Sequence, residues 1–98
     1  MNLNLSQLIT QILGGNRQAF EVLIRHYQKL VYGFAFQMTK NFADAEDLTQ
    51  EAFLQAYQNL HTLREPEKFA GWMRGITFHL CDRWLKERRR VVLVDDVE

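Results

Sequence analysis

The sequence predicts an all-α fold, a compact bundle of four helices in which the first is short and the other three are longer. Three observations predict it. Apolar residues recur at steps of three and four along most of the chain, which is the period of one helix face. One proline and five glycines among 98 residues are too few for a loop-rich, disordered or collagen-like chain. Hydrophobic residues make up 47% of the chain, enough for a modest core, and a chain this short holds only one.

The first helix is read over 5–13, where Leu5, Leu8, Ile9 and Ile12 fall at helical spacing. Gly14-Gly15-Asn16 stops it, and Asn16 is placed to cap the next element. The second helix runs over 17–39. Phe20, Leu23, Ile24, Tyr27, Val31, Phe34, Ala35 and Met38 form a stripe about six turns long, which marks the central core helix and carries no chemistry. Gly33 weakens this helix locally and is read as a point of close helix approach. Asn41-Phe42-Ala43-Asp44 breaks the pattern, and either Asn41 or Asp44 can cap a third helix that runs to about Leu60. A polar connector over 62–67 holds Pro66, well placed for the first turn of a fourth helix. That helix carries Phe69, Trp72, Met73, Ile76, Leu80 and Trp84 on one face and is expected to end in the basic run 86–90. Residues 1–90 read as one domain and 91–98 as a linker or tail.

Composition narrows the function. A single cysteine, Cys81, excludes an intramolecular disulfide scaffold and a cysteine-cluster zinc site. No apolar run reaches the length of a membrane span, and the first residues lack a signal-peptide pattern. A soluble protein of a reducing cytoplasm is the default. The formal net charge is zero, but it is unevenly placed. Over 43–67 there are six acids (Asp44, Glu46, Asp47, Glu51, Glu65, Glu67) and one base (Arg64). Over 68–90 there are seven bases (Lys68, Arg74, Arg83, Lys86, Arg88, Arg89, Arg90) and two acids. Neighbouring surfaces of opposite sign suggest two different partners.

At 100° per residue, Ala45, Leu48, Thr49, Ala52, Phe53, Ala56 and Leu60 share the core face of the third helix. Asp44, Asp47, Gln50, Glu51, Gln55 and Gln58 fall on the other, with Leu54 among them. An apolar anchor inside a polar rim is the pattern of a protein-binding patch. On the fourth helix Arg74, Phe78, Cys81 and Leu85 lie away from the main core face, which implies a helix wedged between neighbours or a partly exposed Phe78. Basic residues there interleave with aromatics, the composition used to hold phosphates and stack single-stranded bases. His26, His61 and His79 are scattered. No metal spacing, nucleophile elbow or phosphate-cradling glycine loop occurs, so neither an enzymatic role nor a cofactor is expected.

Ala19-Phe20-Glu21-Val22-Leu23, Tyr27, the run from Asp44 to Leu54 (DAEDLTQEAFL), Phe69-Ala70-Gly71-Trp72-Met73 and Ile76 together resemble the second conserved region of bacterial sigma factors, most closely the extracytoplasmic-function group. The resemblance covers about residues 6–90. It implies a compact helical domain whose third helix docks on the clamp coiled coil of the RNA polymerase β′ subunit. Carried over by position, Asp47, Gln50 and Glu51 are the main polar contacts and Leu54 an apolar one, with Asp44 and Gln58 at the margins. It further implies that the connector and fourth helix recognise and open the promoter minus-ten element, with a non-template base extruded into a pocket. The candidates around that base are His61, Leu63, Arg64, Lys68, Phe69, Trp72 and His79; Arg83, Lys86, Arg88 and Arg89 are backbone contacts, and Arg74 is a further DNA-binding candidate. Gly75, His79 and Arg83 depart from the arginine, asparagine and aspartate frequent in the family. Members are often held inactive by an anti-sigma partner, which nothing in these residues identifies. They usually carry a second, helix-turn-helix domain, and 91–98 fits the start of a linker to one. The alternative is a sigma-like interaction module or regulator without promoter recognition.

Overall fold

The computed structural model describes the backbone of residues 3–97 and the side chains of residues 3–90. Four helices follow in order: α1 (Leu5–Leu13), α2 (Arg17–Thr39), α3 (Phe42–Asn59) and α4 (Phe69–Val97). Between the last two lie short 3-10 turns at Leu60–Thr62 and Pro66–Lys68. Pro66 therefore opens a 3-10 turn that leads into α4, not the α-helix itself. No described helix is long and apolar enough to cross a membrane.

Asparagine starts three of the helices by the same device. The side-chain oxygens of Asn4, Asn16 and Asn41 accept the backbone N–H of Gln7, Ala19 and Asp44 at 3.0, 3.2 and 3.0 Å. Each satisfies an otherwise orphaned donor, a contribution of about 1 kcal/mol. Of the two cap candidates for α3, Asn41 is the one used, and Asp44 stands in the first turn, where the helix dipole favours an acid. The α1–α2 turn needs Gly15, whose φ is 104°. The α2–α3 turn places Lys40 in the left-handed region at φ 55°, with its N–H donating to the Phe36 carbonyl at 2.9 Å.

α2 packs against all three other helices, and α3 and α4 also touch each other. Ala35, Ala45, Ala52 and Ala56 are wholly buried, and their size lets the helix backbones approach closely. Leu23, Val31, Leu60, Phe69, Met73 and Leu80 fill the space between, each full burial stabilising by about 1.5–3 kcal/mol. The two buried hydroxyls bond inside their own helices. Thr49 Oγ1 donates to the Ala45 carbonyl and Thr77 Oγ1 to the Met73 carbonyl, both at 2.7 Å.

Cys81 is fully buried because α4 lies against both α2 and α3, the wedged helix that the apolar residues off its main face implied, and Phe78 is partly exposed. Two expectations are corrected. Gly33 is exposed, and a Cβ built on it meets nothing within 4 Å, so it marks no helix contact. α4 runs through Val97 instead of ending in the basic run, since no glycine or proline interrupts 86–97. The side chains of 91–98 lie outside the described residues.

Candidate functional site

α3 turns its polar face fully outward. Asp47, Gln50, Glu51 and Gln58 are exposed and Asp44 is partly so. Leu54 stands among them with 58% of its surface exposed. This is the arrangement read from the helical wheel, and one axis of one helix was enough to obtain it. α2 contributes what the wheel of α3 does not show. A groove of about 310 Å³ between the two helices is lined by Phe20, Ile24, Gln28, Thr49, Gln50, Phe53 and Leu54. It continues through Gln28, Thr49 and Gln50 into a recess of about 380 Å³ bordered by Lys29, Tyr32 and Glu46. Past Tyr32 the rings of Phe36 and Phe42 stack in turn, with centroids 6.2 and 4.9 Å apart. Reading α2 as core alone missed this groove; the polar pair Gln28-Lys29 beside its stripe was the available signal.

The connector and the start of α4 form a second feature, an open cup of about 580 Å³ lined by Thr62, Leu63, Arg64, Glu65, Lys68, Gly71 and Trp72. Half-buried Leu63 and Trp72 supply its apolar surface and Arg64 and Lys68 its cations. Lys68 Nζ is held 2.6 Å from Glu65. The sequence-derived candidates Leu63, Arg64, Lys68 and Trp72 are thus brought together, and Thr62, Glu65 and Gly71 join them. His61 and His79 are exposed but line no part of the cup. Phe69 is a correction: it is 0% exposed, with its ring centroid 5.0 Å from Tyr27 and 5.9 Å from Trp72. It backs the cup from the core and cannot itself touch a ligand there.

Along α4, several candidate cations stand beside carboxylates. Arg83 is 3.6 Å from Glu51, Arg88 3.5 Å from Asp44 and Lys86 3.0 Å from Asp82. Arg88 also lies over the Trp84 ring at 5.1 Å, and Arg89 is exposed. Two of these pairs join the polar face of α3 to the basic side of α4, so the surfaces of opposite sign meet along one seam. Each pair is solvent-exposed and worth about 0–1 kcal/mol. Among the described residues no three His, Cys, Asp or Glu side chains gather to hold a metal ion.

Residues 23–91 match the family model of sigma-70 region 2. The chain belongs to this family. The matched span of this sigma region 2 domain takes in α3, the cup, α4 as far as residue 91 and all of the groove lining except Phe20. It is 39% identical over 75 residues to a probable RNA polymerase sigma factor, RfaY, of Xanthomonas campestris pv. campestris, a match covering 76% of this chain and 19% of that protein. It is 32% identical over 89 residues to the ECF RNA polymerase sigma factor SigW of Bacillus subtilis, covering 90% and 48%. To the RNA polymerase sigma-H factor of Pseudomonas aeruginosa it is 30% identical over 84 residues, covering 86% and 44%. The sigma region 2 domain therefore spans between about a fifth and a half of the curated relatives it matches.

Proposed function

We propose that this chain is the polymerase-binding and promoter-opening part of an extracytoplasmic-function sigma factor, acting in the cytoplasm and performing no bond chemistry of its own. The observation that carries the reading is the cup: an apolar wall of Trp72 and Leu63 with Arg64 and Lys68 around it, formed by the connector and the first turns of α4. A base taken out of a duplex loses stacking worth a few kcal/mol. A ring such as Trp72 returns about 1–3 kcal/mol per base, and the cations take up the phosphates. Polymerase core, through its β′ clamp coiled coil, docks on the outward face of α3. Asp47, Gln50 and Glu51 accept or exchange hydrogen bonds there, charge-assisted where a carboxylate meets an arginine, and Leu54 supplies the apolar anchor. Asp44 and Gln58 flank this surface. Arg83, Lys86, Arg88 and Arg89 continue the cationic path along α4.

The test is a pull-down of polymerase core by the wild-type chain and by the Asp47→Lys/Glu51→Lys variant, with circular dichroism on both. Both residues are exposed. Among the described residues the only ion pair broken is Glu51–Arg83, worth at most about 1 kcal/mol, so helicity is retained while binding is lost. Undiminished binding by the variant refutes the α3 assignment. A folded wild-type chain that fails to bind core favours the sigma-like regulator.

A further inference from the structure

Lys68, Arg83, Lys86 and Arg88 each stand beside a carboxylate. Among the described residues no carboxylate pairs with Arg74, nor with Arg64, Arg89 or Arg90, and Arg74 alone of these four is placed by rings. Two aromatic rings hold it instead. Its guanidinium carbon is 5.8 Å from the centroid of Phe34 on α2 and 5.5 Å from that of Phe78 on α4. A guanidinium placed by ring faces keeps its edge N–H donors free, and their fork matches the oxygens of a phosphate. Phe78 is 40% exposed, so aromatic surface lies open beside that cation.

The position of this cluster points to its ligand. Gly71, which lines the cup, and then Gly75 and Phe78 follow at steps of four and three, so they share one outward strip of α4. Gly75 is exposed, and a Cβ built on it meets nothing within 4 Å among the described residues, so the helix surface between cup and cluster is open at that point. From Trp72 to Phe78 the helix rises about 9 Å. At the stacked-duplex rise of about 3.4 Å that is at most two to three nucleotide steps, and fewer along an opened, unstacked strand. A free guanidinium beside an open ring offers one group for each half of a nucleotide, whereas an acidic peptide would use Arg74 and leave Phe78 bare.

We propose that Phe34, Arg74 and Phe78 form a second nucleotide station on α4, where Arg74 takes a phosphate of the single strand and Phe78 carries the face of a base within three positions of the one in the cup. This rests on the reading of the cup as a strand site and lengthens its path. The test is fluorescence anisotropy of a labelled eight-nucleotide oligodeoxythymidylate with the full chain and polymerase core, alongside an otherwise identical strand made abasic over its central positions. Phe78→Ala lowers affinity for the intact strand by about 5- to 100-fold and leaves the abasic strand unaffected; Phe78→Trp restores it. Arg74→Gln weakens both strands and reduces the salt slope by about one. Unchanged affinity and salt slope in both variants, while Trp72→Ala loses the strand, overturns the station and leaves the cup standing. Equal losses on intact and abasic strands for Phe78→Ala also overturn it, because the ring then acts through the fold. A wild-type complex that does not hold the strand, or one indifferent to Trp72→Ala, overturns the cup reading and the station with it.

Discussion

Phe69 separates the two roles that an aromatic residue beside a basic surface can play. Its ring is wholly buried, packed on Tyr27 and behind Trp72. Phe69→Ala deletes most of a buried ring and costs about 3–5 kcal/mol through lost transfer energy and the cavity left behind. Against a total stability of about 5–15 kcal/mol for a domain, that is a large fraction. At about 4–8 °C per kcal/mol for a domain of this size, Tm falls by about 12–40 °C. Phe69→Leu keeps most of the volume and costs about 1–1.5 kcal/mol, or about 4–12 °C. If the ring only backs the cup, the Leu variant binds single-stranded DNA within about twofold of wild type at temperatures where both are folded. Calorimetry gives the stabilities and strand anisotropy the affinities. A Leu variant with wild-type Tm and a tenfold loss of strand affinity would refute the reasoning, because the ring would then be touching the strand.

Two further predictions concern the fold. Gly33→Ala raises stability by about 0.5–1 kcal/mol, since Gly33 is interior to α2, exposed and unobstructed. Gly15→Ala lowers it by a similar amount or more because φ there is 104°; denaturant titration of both variants should move the midpoints in opposite directions. Burial pushes the Cys81 thiol pKa up, so at pH 7–8 the native thiolate fraction is depressed. Alkylation should therefore be negligible in the folded protein and rise in step with unfolding. Labelling of the native chain as fast as a free thiol would show that α4 does not enclose it.

Local chemistry was readable from the sequence wherever one segment decided the outcome. The bounds of α1 and α2 follow from Gly14-Gly15-Asn16 and a stripe with a single period, and the outward face of α3 follows from a wheel with one buried side. α4 resisted the same treatment because two neighbours cover it. Thr77 and Cys81 belong to the core only once α2 and α3 are both in place, whereas Phe69 already stood on the core face of the wheel and is buried there, against its carried-over role beside the extruded base. The cup draws on the connector and on α4 together. Trp72, Arg64 and Lys68 were recoverable from composition and Leu63 from the family resemblance, but Gly71 was not, since a glycine contributes only the space it leaves. The pairs Glu51–Arg83 and Asp44–Arg88 are distant in sequence and depend on how the helices cross.

The self-contained hydroxyls of Thr49 and Thr77 have a consequence for how such a domain can vary. Both bond within a single turn of their own helix, and no buried side-chain nitrogen or oxygen among the described residues is left without a partner. Among the described residues the interior therefore sends no side-chain hydrogen bond from one helix to another. Registry within the core comes from the shapes of its apolar side chains, Val31 and Met73 among them. A lineage could exchange the exposed residues on α3, the proposed polymerase face, or those around the cup, the proposed strand site, with no compensating change in the described core. The scaffold and these two surfaces are free to evolve at different rates.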